Sequence, residues 1–326
     1  MKKINLGIIY GGRSGEHEIS VRSANSVKKA LRPERYNVED FFITKEGRWQ
    51  PRPILPEPGA NEGLDVVFPL LHGTFGEDGT VQGLLELADL PYVGAGVLAS
   101  SVSMDKAVMK RLCQAVGIPI VDYVVLETGH WSLDNVKLPF GFPVFVKPAN
   151  LGSSVGITKA KTNGELRAAL ETAARYDHKI VVERGVAGRE FECSVLDGEP
   201  PRAATPCEIL PSREFYDYED KYLLDKARIE LPARLTENQT EEIQRLAVRC
   251  FEAVGCEGMG RVDFLMETAT GQIYVNEINT IPGFTSISMY PKMWEYSGLP
   301  YSDLLDRLID LALKRGAGRR QLSYTR

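Results

Sequence analysis

Residues Gly260–Asn279 read GRVDFLMETATGQIYVNEIN. Two runs of alternating polar and apolar residues flank Thr268-Ala269-Thr270-Gly271, the pattern of a β-hairpin. With the turn centred near Thr270, Asp263 faces Glu277 and Arg261 faces Asn279. Side chains alternate along a strand, so all four lie on one sheet face. Carboxylates directly opposite one another repel unless a cation sits between them. Two carboxylates and an amide oxygen make a hard, all-oxygen cluster of the kind that Mg²⁺ shares with substrate phosphates. The spacing therefore predicts a metal role for Asp263, Glu277 and Asn279; the plainer reading is two acids that diverge at a sheet end.

Three glycine-rich segments stand further upstream. In FVKPANLGSSVG (Phe145–Gly156), Lys147 closes a predicted strand and a loop with Gly152, Ser153, Ser154 and Gly156 follows. Such a loop offers amides and hydroxyls to phosphate oxygens while the lysine supplies charge. A Walker loop has the reverse order, glycines first and lysine opening a helix, so this order points to a different nucleotide fold. In HGTFGEDGTVQG (His72–Gly83), His72 sits at the carboxyl end of a predicted strand, where α/β proteins bind ligands; taken alone it is equally a structural histidine. In GGRSGEHEIS (Gly11–Ser20) the spacing is not GxGxxG, and Glu39 and Asp40 stand at the start of the second strand rather than its end, which argues against a dinucleotide site. A plain glycine turn and a substrate site around Glu16 both remain open.

The surrounding periodicity predicts strands at Ile4–Tyr10, Val38–Ile43 and Asp65–Leu70, with helices over about Ser20–Leu31 and Val81–Ala88. Alternation of this kind implies a parallel α/β unit over roughly the first 95 residues. Downstream the pattern predicts helices at Asp105–Val116, Glu165–Ala174, Glu237–Val254 and Ser302–Lys314, and strands at Val144–Lys147, Lys179–Glu183 and Arg189–Leu196. The tail Gly316–Arg326, GAGRRQLSYTR, is expected to fray.

A chain of 326 residues exceeds what one core usually supports, so two or three domains are expected. The net charge of −5 gives no reason to expect nucleic acid or an anionic membrane surface as partner. The 5 cysteines are scattered without a CxxC pair, which speaks against a disulfide framework or zinc site. No apolar run approaches the roughly 20 residues needed to span a bilayer, and no membrane insertion is expected. The opening MKKINLGIIYGG lacks the cleavage pattern of a signal peptide and reads as a first strand.

From GGRSGEHEIS through HGTFGEDGTVQG to RVDF (Arg261–Phe264), NEIN (Asn276–Asn279) and TIPGFTS (Thr280–Ser286), the chain resembles the D-alanine:D-alanine ligase family of ATP-grasp enzymes. The match runs over nearly the whole chain in the family's order. The resemblance implies an α/β architecture in three parts: an N-terminal Rossmann-like parallel α/β domain (1–97), a central α+β domain (98–184) and a C-terminal α+β domain (185–326), with ATP between the last two. It implies that Lys106, Lys147 and Ser154 lie on the ATP phosphates, that Glu183 and Val186 of VVERGVAGRE serve the adenine end, and that Glu190 contacts the ribose. Asp263, Glu277 and Asn279 would hold two Mg²⁺, for which Mn²⁺ can substitute.

The implied reaction activates the carboxylate of one D-alanine as an acyl phosphate, which the amine of a second D-alanine attacks, giving D-alanyl-D-alanine for peptidoglycan precursors. In this reading Arg261 and the N–H of Gly283 stabilise the tetrahedral oxyanion. Glu16 holds the first ammonium near His72, and Ser288, the backbone of Met289 and Lys221 receive the second carboxylate. The polar, tyrosine-rich EFYDYEDKY (Glu214–Tyr222) matches the family's mobile loop, about 208–226, which closes over the site. Tyr222 would reach Ser153 and through it Glu16, a lid type that favours D-alanine over D-lactate as acceptor. Ligases of the same fold that make D-alanyl-D-lactate or D-alanyl-D-serine are the alternatives. Ile287 stands where some relatives carry a histidine, and Asn150-Leu151 replaces a charged pair found in some members. The resemblance further implies a cytoplasmic homodimer acting on D-alanine and ATP.

Overall fold

The computed structural model describes residues 2–131, 136–152, 155–210 and 228–323. Three sheets organise them. In the first, the apolar run β1 (Ile4–Gly11) pairs in parallel with β2 (Tyr36–Ile43) and β4 (Val66–Pro69), and the short β3 (Trp49–Gln50) lies antiparallel on the outer edge of β2. Leu6, Ile8 and Ile9 are fully buried on β1 because helices cover this parallel sheet. α1 (His17–Ala30) joins β1 to β2, and α2 (Thr80–Leu87) follows the loop after β4.

The second sheet has the order β5 (Tyr123–Glu127), β8 (Lys179–Arg184), β6 (Val144–Pro148), β7 (Thr158–Ala160), all antiparallel. Across it packs α5 (Asn163–Ala173), whose N-cap Thr162 accepts from the Glu165 N–H. The third sheet is built around β9 (Gly188–Leu196), flanked by β11 (Cys207–Leu210) with β12 (Arg228–Glu230) on one side and β13 (Met259–Glu267) with β14 (Ile273–Asn279) on the other; β10 (Arg202–Ala203) pairs with the end of β9. α6 (Glu237–Ala253) opens with a capping box between Thr236 and Gln239. Its Ile243, Leu246, Ala247, Cys250 and Phe251 recur at helical spacing and meet Val262, Phe264 and Val275 in one core.

Further helices are α3 (Val97–Met104), α4 (Lys106–Ala115) and α7 (Met289–Tyr296). The sequence pattern predicts α4 but neither α3 nor α7. α3 carries little polar contrast between its faces, and α7 holds Pro291 in its first turn, where a proline costs nothing because that N–H has no helical partner.

The tail differs from expectation. α8 (Tyr301–Arg319) runs through both glycines of the segment expected to fray. Leu304, Leu305, Leu308 and Ile309 share a core with Leu6, Ile8, Val27 and Phe68 of the first sheet. Arg315 donates to the carbonyls of Tyr92 (2.6 Å) and Gly94 (2.7 Å), and Arg319 pairs with Glu86. Gly316 lies on Pro91, where a Cβ would stand 2.7 Å from Cγ. Tertiary partners outweigh the local cost of glycine in a helix. No helix among the described residues is long and apolar enough to cross a membrane.

Candidate active site

The hairpin forms in the predicted register, Arg261 opposite Asn279 and Asp263 opposite Glu277. Arg261 donates from Nε to Asp263 Oδ1 (2.7 Å) and from Nη2 to Oδ2 (2.8 Å), and its Nε also lies 3.2 Å from Glu192 on β9. Burial opposes the guanidinium charge, but Asp263 and Glu192 raise its pKa well above the ordinary value. Asn279 Nδ2 donates to Asp263 Oδ2 (3.1 Å). Between Asp263 and Phe264 the register slips, a bulge that leaves Asn276 without a residue opposite. Its Oδ1 accepts from Lys147 Nζ at 3.3 Å.

Two lysines approach this face from the second sheet and its neighbouring helix. Asp105 caps α4 by accepting from the N–H groups of Ala107 (3.0 Å) and Val108 (3.1 Å). Lys106 therefore sits in the first turn, donating to the Leu151 carbonyl (2.7 Å) and lying 3.7 Å from Glu277. Lys147, next to the end of β6, pairs with Glu183 Oε2 at 2.6 Å, and Lys110 of α4 approaches Glu183 Oε1 at 3.1 Å. Burial alone would raise the Glu183 carboxyl, but Lys110 and Lys147 hold it down at about 2. Burial likewise opposes the Lys147 charge, and Glu183 more than offsets it, so that ammonium lies above its usual range.

A cavity of about 440 Å³ opens between the second and third sheets, lined among others by Lys106, Lys147, Glu183, Val186, Glu190, Asp263 and Glu277. That volume suits a small-molecule ligand. The donor set of Asp263, Glu277 and Asn279 fits a hard divalent cation: the three side chains share one strand face, with Asp263 and Glu277 at the cavity wall beside two lysines suited to phosphate. Another concavity, about 500 Å³, is lined by Arg202, Leu299, Asp303, Asp306, Arg307 and Asp310 and contains none of the sequence-predicted site residues.

A second group of predicted residues gathers where the loops after β1 and β4 meet the segment after β14. A Cβ at Gly73 would stand 2.6 Å from Glu16 Oε2, and one at Gly152 would stand 3.5 Å from the same oxygen, so three glycine-rich loops converge on Glu16. Ser14 Oγ donates to the His72 carbonyl (2.6 Å). His72 has protein partners at both ring nitrogens: Nδ1–H donates to the Ile281 carbonyl (3.1 Å), and Nε2 accepts from Ser23 Oγ (3.0 Å). Ser23 in turn accepts from the Phe284 N–H (3.2 Å). Burial pushes the His72 imidazole below its ordinary range. His72 and Ser23 thus brace the turn that carries Gly283, and a Cβ on that glycine would stand 2.6 Å from Ser288 Oγ. Ser288 Oγ also accepts from the Thr285 N–H (3.0 Å), while the Met289 side chain is buried in the core.

Ser153, Ser154, Lys221, Tyr222 and most of the predicted 208–226 loop lie outside the described residues. Four groups escape the sequence reading: Lys110, Asn276, Ser23 and Glu77. Glu77 Oε2 accepts from the Gly73 N–H at 2.8 Å. Burial first, then the Glu16 charge, push its carboxyl up to about 8 against the pull of the Gly73 N–H and Arg261. A signal for Lys110 exists: it falls on the buried stripe of α4 with Lys106 and Cys113, where a lysine calls for a partner. Asn276, Ser23 and Glu77 depend on a bulge and on distant loops.

Comparison with known proteins places this geometry. The model of the D-ala D-ala ligase C-terminus matches residues 112–310, and that of the D-ala D-ala ligase N-terminus matches residues 5–62 and 55–95. The D-alanine–D-alanine ligase of Solibacter usitatus is 63% identical over 324 residues, covering 99% of each chain. That of Thermoanaerobacter sp. is 46% identical over 350 residues, covering 96% of this chain and 98% of the relative. Among solved structures, the D-alanine-D-alanine ligase from Coxiella burnetii superimposes with a TM-score of 0.87 at 38% identity, over 98% of this chain and 97% of that one. The VanG D-Ala:D-Ser ligase from Enterococcus faecalis gives a TM-score of 0.87 at 34% identity, over 95% of this chain and 100% of the other.

Proposed function

The chain belongs to the D-alanine–D-alanine ligase family, and on that premise we propose that it joins two D-alanines to D-alanyl-D-alanine at the expense of ATP, supplying peptidoglycan precursors in the cytoplasm. The observation that carries this reading is the hairpin face: Arg261, Asp263, Glu277 and Asn279 share one side of two strands, and Lys106 and Lys147 meet them across a cavity.

A carboxylate resists attack by an amine, so it must first be activated. In the first step the carboxylate oxygen of one D-alanine attacks the γ-phosphorus of ATP and ADP leaves. In the second, the free amine of another D-alanine adds to the acyl carbonyl and phosphate departs. Neither step needs a covalent bond to the protein; both need positioning and charge neutralisation. Lys106 and Lys147 would receive the phosphates, while Val186 and Glu190 would line the adenosine end. Bound at Asp263, Glu277 and Asn279, Mg²⁺ would supply further positive charge to the phosphoryl group; two ions, replaceable by Mn²⁺, are our expectation.

Glu16 would take the first ammonium, since three loops place it at their meeting point. Arg261 and the Gly283 N–H would stabilise the oxyanion, His72 acting through the brace on the Gly283 turn rather than by contact with substrate. Ser288 and the Met289 backbone, with Lys221, would take the second carboxylate, and Tyr222 with Ser153 would close the lid over Glu16. We place domains at 1–97, 98–184 and 185–326, one around each sheet, and expect a homodimer.

The test is direct. Purified protein given ATP, Mg²⁺ and D-alanine should release phosphate and ADP and form a product with the mass of the dipeptide; absence of ADP formation with D-alanine overturns the reading. D-Serine or D-lactate added in competition separates the acceptor alternatives, and preferential formation of the mixed product would replace D-alanine as acceptor.

A further inference from the structure

Lys110 has no role in the chemistry above, yet it is among the most deeply buried side chains of the chain, with no exposed surface. An unpaired ammonium at such a depth is costly, and lysine is rarely fully buried without a partner. Its partner is Glu183, also buried, whose two oxygens are divided between Lys110 Nζ at 3.1 Å and Lys147 Nζ at 2.6 Å. Lys110 lies one helical turn beyond Lys106 on α4, so the same helix that presents Lys106 to the cavity anchors the carboxylate that holds Lys147.

The geometry points to Lys110 as a positioning residue for nucleotide binding, acting through Glu183 on Lys147. We infer that it keeps the Glu183 carboxylate in one orientation, so that the Lys147 ammonium is set at the cavity wall before the nucleotide arrives. Glu183 spans a gap between α4 and β6, and with one lysine removed it is free to swing toward the other. Lys147 would then follow the carboxylate away from Asn276, its second partner at 3.3 Å. A fixed ammonium loses less freedom on meeting a phosphate than a wandering one, which is where the affinity is gained. The inference rests on the reading of the cavity as the nucleotide site.

The experiment uses the full chain with Lys110→Met, Lys110→Arg, Lys147→Met and the double variant Lys110→Met/Lys147→Met. Calorimetry measures ADP binding with Mg²⁺, and steady-state assays give KM for ATP and for D-alanine separately. Lys110→Met should weaken ADP binding and raise KM for ATP by about tenfold or more, the scale of breaking one side of a buried ion pair. KM for D-alanine should stay within about twofold, and Lys110→Arg should recover most of the loss. In the Lys147→Met background, Lys110→Met should change ADP affinity by less than about twofold, because the residue it positions is gone.

Equal losses in both backgrounds, a parallel rise in both KM values, or unchanged ADP affinity would each overturn the inference. If Lys110→Met does not fold, Lys110→Gln takes its place in the same cycle. Wild-type protein that binds ADP but forms none from ATP and D-alanine would remove the ligase reading while leaving this one standing. Wild-type protein that does not bind ADP would remove both.

Discussion

The β13–β14 hairpin and the loop from His72 to Gly83 hold negative charge in opposite ways. On the hairpin Asp263 is gripped by Arg261 and Glu277 lies near Lys106, while Glu192 of the adjacent β9 lies beside the same guanidinium. In the loop, Glu77 and Glu16 approach the same glycine, Gly73, and Glu77 has an N–H rather than an ammonium as its close partner. The outcome is a carboxyl pushed up to about 8. Carboxylates in one region are met by cations, while in the other a carboxyl keeps its proton to a higher pH. What differs is how close a cation lies once water is removed: in contact with Asp263, and only at longer range from Glu77.

The strongest way to break this contrast is to neutralise the hairpin. Glu277→Gln keeps the shape and removes the charge that faces Asp263 and Lys106. Metal-dependent turnover should fall by about a hundredfold or more, several kcal/mol of phosphoryl-charge stabilisation being at stake. Titrating Mg²⁺ in the phosphate-release assay checks this, and wild-type turnover at saturating Mg²⁺ would remove the metal assignment.

A smaller effect is expected behind the loop. Ser23→Ala removes the hydroxyl shared by His72 Nε2 and the Phe284 N–H and leaves both unpaired in a buried setting. The cost should be about 1–3 kcal/mol of stability, read as a lower midpoint in denaturant unfolding. If the brace positions the Gly283 turn, kcat falls as well while KM for ATP is unchanged. A variant with full kcat would reduce the His72 brace to packing.

The smallest effect sharpens the comparison rather than breaking it. The folded-state pKa of Glu77 is raised from the ordinary 4.5 to about 8. The stability tied to its protonated form is therefore complete below 4.5 and lost as pH rises through about 8. Glu77→Gln should flatten the fall in melting temperature of the ligand-free protein over that window, raising it at pH 8 more than at pH 5. An unchanged slope would place the acid in a wetter, better-compensated setting than the Gly73 contact indicates.

These regions also differ in how much could be read from the chain alone. The pairing of Arg261 with Asn279 and of Asp263 with Glu277 was legible because both its determinants are local: a period of two along each strand, and turn residues near Thr270. The bulge was not, and Asn276 was missed with it. Lys106 was legible only through the family resemblance, its Asp105 cap being a feature of the folded helix, and Lys147 because it ends an apolar strand before a glycine loop. Lys110 left a trace as a lysine on a buried helical stripe, but the trace does not name Glu183. For the tail after Lys314, local reasoning pointed the wrong way, since Gly316 packs on Pro91 and the neighbouring Arg315 is held by the carbonyls of Tyr92 and Gly94.

Sequence by itself determined the alternation of strands and helices, the shared face of Arg261, Asp263, Glu277 and Asn279, and the family signature that spans the chain. All are properties of neighbours along the backbone, where periodicity and turn chemistry act. Only the tertiary structure decided which polar side chains are free to meet a ligand and which are spent on the protein. His72 is tied to Ser23, 49 residues away, and to Ile281, 209 residues away. Glu183 is shared between a helix and a strand that local pattern places but cannot bring together. Charge state follows from the same long-range closure, because desolvation and the nearest counter-charge exist only once distant segments have met.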